Sequence, residues 1–506
     1  MTATTPADRT VEQAPAAIAT DVPEPTRSRR RRGRGEPYSR GDRSLWLAGF
    51  LAAVTLAVTI AALLGSSHPK FAAIPVAVVC AGVLIYLALA RFELFVLTCL
   101  FLRASLDAIG SDSAVTNPSS LLALAFMAAS LLWLAARTRR NQSFRSELTL
   151  PLLLFTFACV LSTVTSEVRG VSLPELLRIL AVVVMALVLE RLATTPAAVR
   201  RILIAALGSA LIPMTASVVA YGAGHPLLDK RAALADGIKR VRGTFAQANG
   251  FSRYLLFTLL MLAALWPHLN RRWRIVTGVS IGILGILMIL TYTRSSWLAL
   301  VAGVLLICWL QNKKLLIIPL VLGILVCLFV PSVVDRFTNL TADNGPQTAL
   351  SGSGNSLAWR FSYWGQIIGL AKDNPVSGIG LKGTESLTAS KQPHNDFLRA
   401  YVEMGVIGLM AYVLLLYALA KVAVAGVKRS RPGWEHGVGV GFAACYLAFV
   451  LVSLSANVMS QAAVLWYFFA FAACAAAVAK FGAVEQKQTE VNVSAGVGGR
   501  PMSFGS

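Results

Sequence analysis

The amino-acid sequence predicts an all-α protein, a polytopic bundle of membrane helices. Three observations carry this reading. Hydrophobic residues make up 56% of the chain and charged residues 14%. Apolar runs long enough to span a bilayer, about 20 residues each, recur from Leu45 almost to Phe481. Lysine and arginine gather in the short connections between these runs, the pattern that orients membrane helices. A mean hydropathy of +0.66 fits one bundle better than several soluble domains.

Residues 1–44 are rich in Pro, Ala and Thr and end in the run Arg27 to Arg34. They lack the apolar surface needed to fold and read as a disordered cytoplasmic tail whose arginines lie on anionic membrane lipids. The first apolar run follows this polar stretch and is long enough to span, so no cleavable signal peptide is expected. Spans are then predicted near 45–64, 71–90, 92–110, 119–136, 148–165, 175–193, 198–221, 251–267, 274–292, 294–311, 314–334, 400–427, 437–457 and 461–480. That makes about fourteen helices, or twelve if the run carrying Arg103 and Asp107 and one of the pair meeting at 292–294 do not cross. Either count leaves the same sidedness. Residues 482–506 read as a second disordered cytoplasmic tail.

Cytoplasmic connections in this topology contain Arg137-Thr138-Arg139-Arg140, Arg200-Arg201, Arg271-Arg272-Trp273-Arg274, Lys313-Lys314 and Lys428-Arg429-Ser430-Arg431. The net charge of +22 is therefore accounted for by membrane orientation, and nucleic acid is not an expected partner. All seven cysteines fall in apolar segments, where a thiol behaves as a small hydrophobe and implies neither a disulfide framework nor a metal site. The bundle comprises residues 45–334, with an extracytoplasmic loop at 222–250, and the C-terminal helices lie within 400–481. A larger extracytoplasmic loop, 335–399, is expected to carry short helices, one of them over the amphipathic stretch Leu357 to Ala371. Long loops on a rigid scaffold tend to carry sites.

The outward loops are basic where orientation does not require it. Residues 222–250 hold Lys230, Arg231, Lys239, Arg240 and Arg242, followed by Arg294, Arg336, Arg360, Lys372, Lys382, Lys391 and Arg399. Such a patch points to an anionic ligand, and arginine suits phosphate because its planar fork binds two oxygens at once; contact with lipid phosphates explains the same composition. Arg294 lies between two apolar runs, where an unpaired charge is costly, and so should face a wet cavity or an anion. Arg242 opens the turn-rich run Arg242-Gly243-Thr244-Phe245-Ala246-Gln247-Ala248-Asn249-Gly250, whose glycines would let backbone N–H groups approach an anion. Arg103 and Asp107, spaced i,i+4, read as a structural ion pair.

His394-Asn395-Asp396 stands directly before a long apolar helix that carries Glu403, Gly405 and Gly408. An imidazole at the water boundary is a candidate proton acceptor. Asn395 and Asp396 are placed to cap the helix. Glu403 and the two glycines read as structural, the small residues permitting close packing. The outer loops contain neither Asp-x-Asp spacing nor a His/Cys cluster, so a bound metal and other cofactors are not expected.

The run His394 to Leu409 resembles the signature of the O-antigen ligase and O-antigen polymerase superfamily, in which a His-Asn pair leads into a Glu-x-Gly-x-x-Gly-Leu helix. The resemblance extends to Arg242-Gly243-Thr244-Phe245 with Asn249, to Thr293-Arg294-Ser295, and to Trp359-Arg360 followed by Asn374-Pro375 and Gly378-Ile379-Gly380. It covers about residues 240–410, in the family's order. Asn249 follows Ala248, where many members have proline.

The resemblance implies a membrane glycosyltransferase acting at the outer face of the cytoplasmic membrane. Such enzymes move a glycan from a polyprenyl diphosphate carrier to a hydroxyl of an acceptor glycan or glycolipid, without nucleotide sugar or metal. By that analogy Arg242 and Arg294, with Arg240 and Arg360, would hold the diphosphate. His394 would serve the acceptor hydroxyl, and attack from the opposite face would invert the anomeric centre. Two other readings stay open: a lipid-linked oligosaccharide flippase or exporter, and a scaffold for envelope-assembly partners.

Overall fold

The computed structural model describes residues 69–107, 118–138, 146–222, 240–317, 357–388 and 392–497. Among them there are helices and no strand. The expected span at 45–64, most of the one at 314–334, the tail 1–44, and loop residues 223–239 and 335–356 lie outside the described residues. The chain divides into two compact units, Met1–Ile85 and Tyr86–Ser506. Of the first, only part of helix α1 (Pro69–Ala90) is described.

In the second unit the helices follow as α2 (Phe92–Arg103), α3 (Pro118–Thr138), α4 (Thr149–Thr165), α5 (Arg169–Leu192), α6 (Pro196–Gly208), α7 (Leu211–Gly222), α8 (Ala248–Leu265), α9 (Arg271–Leu290), α10 (Arg294–Gln311), α11 (Leu357–Leu370), α12 (Gly383–Leu387), α13 (Asp396–Arg429), α14 (Trp434–Ser453) and α15 (Ala462–Val497). Nine helical runs among the described residues are long and apolar enough to cross a membrane, α6 and α7 together forming one of them. At 17 residues, α4 sits at the short end of the spanning range of about 17–25. The run expected at 92–110 closes after twelve residues at Arg103, which pairs with Asp107 at 3.3 Å in the turn that follows.

Local chemistry sets several helix starts. Thr195 accepts the N–H of Ala198 ahead of Pro196, and Asn270 accepts that of Trp273. Both satisfy donors that a helix N-terminus leaves open. α15 forms the centre of the bundle. The whole apolar window of this helix is buried, and it packs against α5, α13 and α14. Phe468 on α15 stacks on Phe449 with ring centroids 4.5 Å apart, beside Phe257 and Phe442. α15 continues to Val497 where the sequence reading ends the bundle at 481 and begins a tail. Glu485 holds this extension against Arg431 at 2.5 Å.

Helix α13 is interrupted at Gly405, whose φ of 67° lies in the left-handed region. An unbroken helix would pair Val406 N–H with Val402 C=O and Ile407 N–H with Glu403 C=O. The chain from Pro375 to Gly380 takes over these roles. Val406 N–H donates to Pro375 C=O at 2.9 Å and Ile407 N–H to Val376 C=O at 3.5 Å, while Ile379 and Gly380 N–H groups donate to Val402 and Glu403 C=O at 3.1 Å each. Ser162 adds a hydroxyl donor to Glu403 C=O at 2.7 Å. A break near membrane depth is tolerated where neighbouring protein satisfies the freed groups. Gly405 therefore serves a backbone exchange rather than close packing of a continuous helix. A Cβ there would meet Val376 C=O at 2.1 Å.

Candidate functional site

Alternating helices bring four distant segments to one end of the bundle: the turn before α8, the α9–α10 junction, the residues before α13, and the connector 454–461 between α14 and α15. The opposite end carries Arg271, Arg272, Arg274, Lys313, Lys314, Lys428, Arg429 and Arg431.

Arg240 joins the first two segments. Its Nε donates to Thr291 C=O at 2.7 Å, and Nη2 donates to Asn249 Oδ1 at 2.6 Å and Thr293 Oγ1 at 2.9 Å. Arg240 thus fixes the head of α8 against Thr293, the neighbour of Arg294. Arg294 starts α10 and is partly buried. Arg242 lies in a turn held from the other side: Thr244 Oγ1 donates to Ala104 C=O at 2.7 Å, and Ala246 N–H to Asp107 at 3.3 Å. Gly243, with φ 57°, leaves no room for a side chain, since a Cβ would meet Ser217 Oγ at 2.9 Å. The Arg242 Nε is buried without a hydrogen-bond partner.

The second cluster is built around the residues before α13. His394 adopts a left-handed backbone, φ 52°, a conformation that costs free energy unless its surroundings impose it. Trp364 on α11 donates its indole N–H to Pro393 C=O at 2.6 Å, and Asn395 Oδ1 caps α13 by accepting the N–H groups of Phe397 and Leu398. Asp396 turns its carboxylate away from its own helix. It accepts Val458 N–H at 2.9 Å and Met459 N–H at 3.3 Å. The same connector is held at Ser455 C=O by Arg360 (3.2 Å), at Asn457 C=O by Arg253 (3.3 Å), and at the Asn457 amide by Gln392 Oε1 (2.9 Å).

Burial, with the nearby positive charges of Arg360 and Arg253, pushes the His394 imidazole down to about 4. Its ring is neutral at neutral pH. Burial also lowers the Arg360 guanidinium. Below the histidine, Arg399 is buried between Glu403 (2.9 Å) and Glu175 (3.4 Å), and Arg178 also pairs with Glu175. Glu403 further accepts Lys382 N–H at 2.9 Å and the Thr384 hydroxyl at 2.5 Å. This network ties α5, α12 and α13 together beneath the site.

The structure therefore sets Arg360 beside His394, and Arg240 beside Asn249 and Thr293. Helix α8 connects the two clusters, because Asn249 and Arg253, four residues apart, share one helix face. Sequence reasoning missed Arg253. The cost argument that singled out Arg294 applies to it equally, since it stands between Phe251 and Leu255 inside an apolar run. It also missed Asn457 and Gln461, whose short connector shows nothing unusual in composition.

These features define an all-helical membrane protein that gathers arginines and one histidine at a single end of its bundle. Residues 279–413, a stretch that includes Arg294, Arg360 and His394, match the family model described as O-Antigen ligase. The match supports the O-antigen ligase and polymerase superfamily for this chain. No curated protein matches the chain significantly.

Proposed function

We propose that the protein is a membrane glycosyltransferase of the O-antigen ligase or polymerase type. It moves a glycan from a polyprenyl diphosphate to a hydroxyl of an acceptor glycan or glycolipid, at the outer face of the cytoplasmic membrane. The observation that carries this reading is the link made by α8, which joins Arg240, Asn249 and Thr293 to Arg253, Asn457 and His394's cluster at one end of the bundle. The lysines and arginines of the opposite end favour the cytoplasm on that side.

In the reaction, the acceptor hydroxyl oxygen bonds to the anomeric carbon as the bond from that carbon to the phosphate oxygen breaks. The hydroxyl proton passes to His394, and the polyprenyl diphosphate leaves with the bonding electron pair. Attack opposite the leaving group inverts the anomeric centre. Arg242, Arg294 and Arg360 stabilise the charge that grows on the diphosphate, while Arg240 adds its field and holds the turn that bears Arg242. Asn395, Asp396 and Glu403 position His394. Confinement of both substrates to one membrane supplies much of the rate. The chain draws on no metal or cofactor in this scheme.

The test is glycan transfer by purified protein from a polyprenyl-diphosphate glycan to an acceptor, comparing the parent with His394→Ala and Arg294→Ala. Each change is expected to lower turnover at least about a hundredfold. Turnover surviving both would remove the proposed chemistry, and glycolipid crossing the bilayer with no new glycosidic bond would identify an exporter.

A further inference from the structure

Several buried atoms around His394 are unused by the protein. Arg253 is 4% exposed, has no ion pair within 4 Å among the described residues, and leaves Nε without a hydrogen-bond partner. Asn457 is 2% exposed, and its Oδ1 is unpartnered although its Nδ2 is taken by Gln392. Gln461, at the end of the same connector, also leaves Oε1 unpartnered. These residues are neighbours: Arg253 bonds the Asn457 carbonyl, and a Cβ on Gly250, three residues before Arg253, would lie 3.7 Å from Gln461 Nε2.

Orphaned buried polar atoms each cost about 1–3 kcal/mol; the Asp396 carboxylate offsets the charge of Arg253 from beyond ion-pair distance but leaves its Nε unpaired. The set is mixed in kind. A guanidinium N–H calls for an anionic oxygen, whereas amide oxygens accept from hydroxyl or N–H donors. A bare phosphate meets only the first demand and a neutral sugar only the second. One ligand that meets both is a sugar with an oxyanion next to free hydroxyls.

Resting on the transferase reading above, we propose that Arg253, Asn457 and Gln461 form a sugar subsite beside His394, which takes a glycosyl unit bearing an oxyanion next to free hydroxyls. The oxyanion is either the phosphate that links this unit to the lipid or a carboxylate on the sugar itself. Arg253 draws the anion toward His394, and the two amide oxygens orient the ring through its hydroxyls. The connector between α14 and α15 thereby becomes a determinant of which glycan is accepted. It lies outside residues 279–413, the stretch that matches the family model.

The test is the affinity of the full-length protein in nanodiscs for three probes: polyprenyl diphosphate alone, polyprenyl diphosphate bearing a neutral hexose, and polyprenyl diphosphate bearing a hexuronate. Gln461→Leu removes an acceptor that bonds nothing in the protein. It is expected to leave the melting temperature unchanged or raised, to weaken both sugar-bearing probes by about tenfold, and to leave the bare lipid's affinity unchanged. A merely structural glutamine would not give that split. Arg253→Gln is expected to weaken all three probes about tenfold if its anion is the phosphate, and only the hexuronate probe if it is a carboxylate. Parent-like affinity of Gln461→Leu for both sugar-bearing probes overturns the subsite, even if Arg253→Gln fails to fold. A parent protein that binds none of the probes instead overturns the transferase reading, and the subsite with it.

Discussion

The carboxylate of Asp396 accepts the backbone N–H of Val458 at 2.9 Å, across 62 positions of sequence. This bond makes the connector after α14 a wall of the same site as His394, two residues upstream of Asp396. Asp396→Ala would leave the buried Val458 N–H and the half-buried Met459 N–H unpaired, at about 1–3 kcal/mol for the buried group. The expected result is a lower melting temperature together with a loss of transfer greater than the stability change explains, because the connector shifts away from His394. Thermal unfolding in detergent, run beside turnover at a temperature where the variant is folded, separates the two effects.

Gly405 gives a sharper stability prediction. An alanine there would carry its Cβ into Val376 C=O, at 2.1 Å, on a backbone with φ 67°. Strain in that region costs about 1–3 kcal/mol before the clash is counted. Gly405→Ala should lower stability by at least about 2 kcal/mol. The control is Gly365→Ala in α11, where a Cβ meets nothing within 4 Å and replacement inside a helix stabilises by about 0.5–1 kcal/mol. Equal melting temperatures for the two variants would count against the backbone exchange.

The break at Gly405 and the placement of Arg253 show what the sequence can and cannot reveal. Hydropathy and Lys/Arg position together mark α8, α9, α10, α13 and α14 to within a few residues, because each needs a long apolar face, and Arg294 stands out as a charge between two apolar runs. The break at Gly405 does not stand out. Helical spacing runs through it without interruption, and it exists only because Pro375 to Gly380 offer matching backbone groups. Arg253 hides for a related reason: one basic residue barely changes the hydropathy of an apolar run, and its meaning depends on Asn457, more than two hundred positions away.

The buried charges below the site predict non-additive behaviour. Arg399 bonds Glu403 at 2.9 Å and lies 3.4 Å from Glu175, with all three side chains buried. Removing one partner of a buried pair costs about 3–5 kcal/mol by leaving the other uncompensated. Arg399→Leu should therefore be destabilising by that amount. Combining it with Glu403→Gln should recover part of the loss, since Glu403 is the carboxylate left without a cation while Glu175 keeps Arg178. A double variant no more stable than Arg399→Leu alone would show that the arginine acts through packing instead of charge. Chemical denaturation of the reconstituted protein measures this, provided the transition is reversible.

His394 fixes the expected pH dependence. Its imidazole is held down to about 4 in the free protein, first by burial and then by Arg360 and Arg253, against about 6.5 for an unperturbed histidine. The folded state thus binds this proton later than the unfolded chain as pH falls. The associated stability is complete above about 6.5 and is lost progressively from there down to about 4. For catalysis, kcat/KM reports the free enzyme and kcat the substrate complex. The acid limb of kcat/KM should accordingly lie near 4. A bound diphosphate offsets the two arginines, so the limb of kcat should sit at higher pH. Arg360→Gln removes one of the repelling charges and should move the kcat/KM limb upward as well, bringing the two limbs closer together. Coincident limbs in the parent enzyme, or a limb unmoved by Arg360→Gln, would mean that the proton acceptor is a group other than His394.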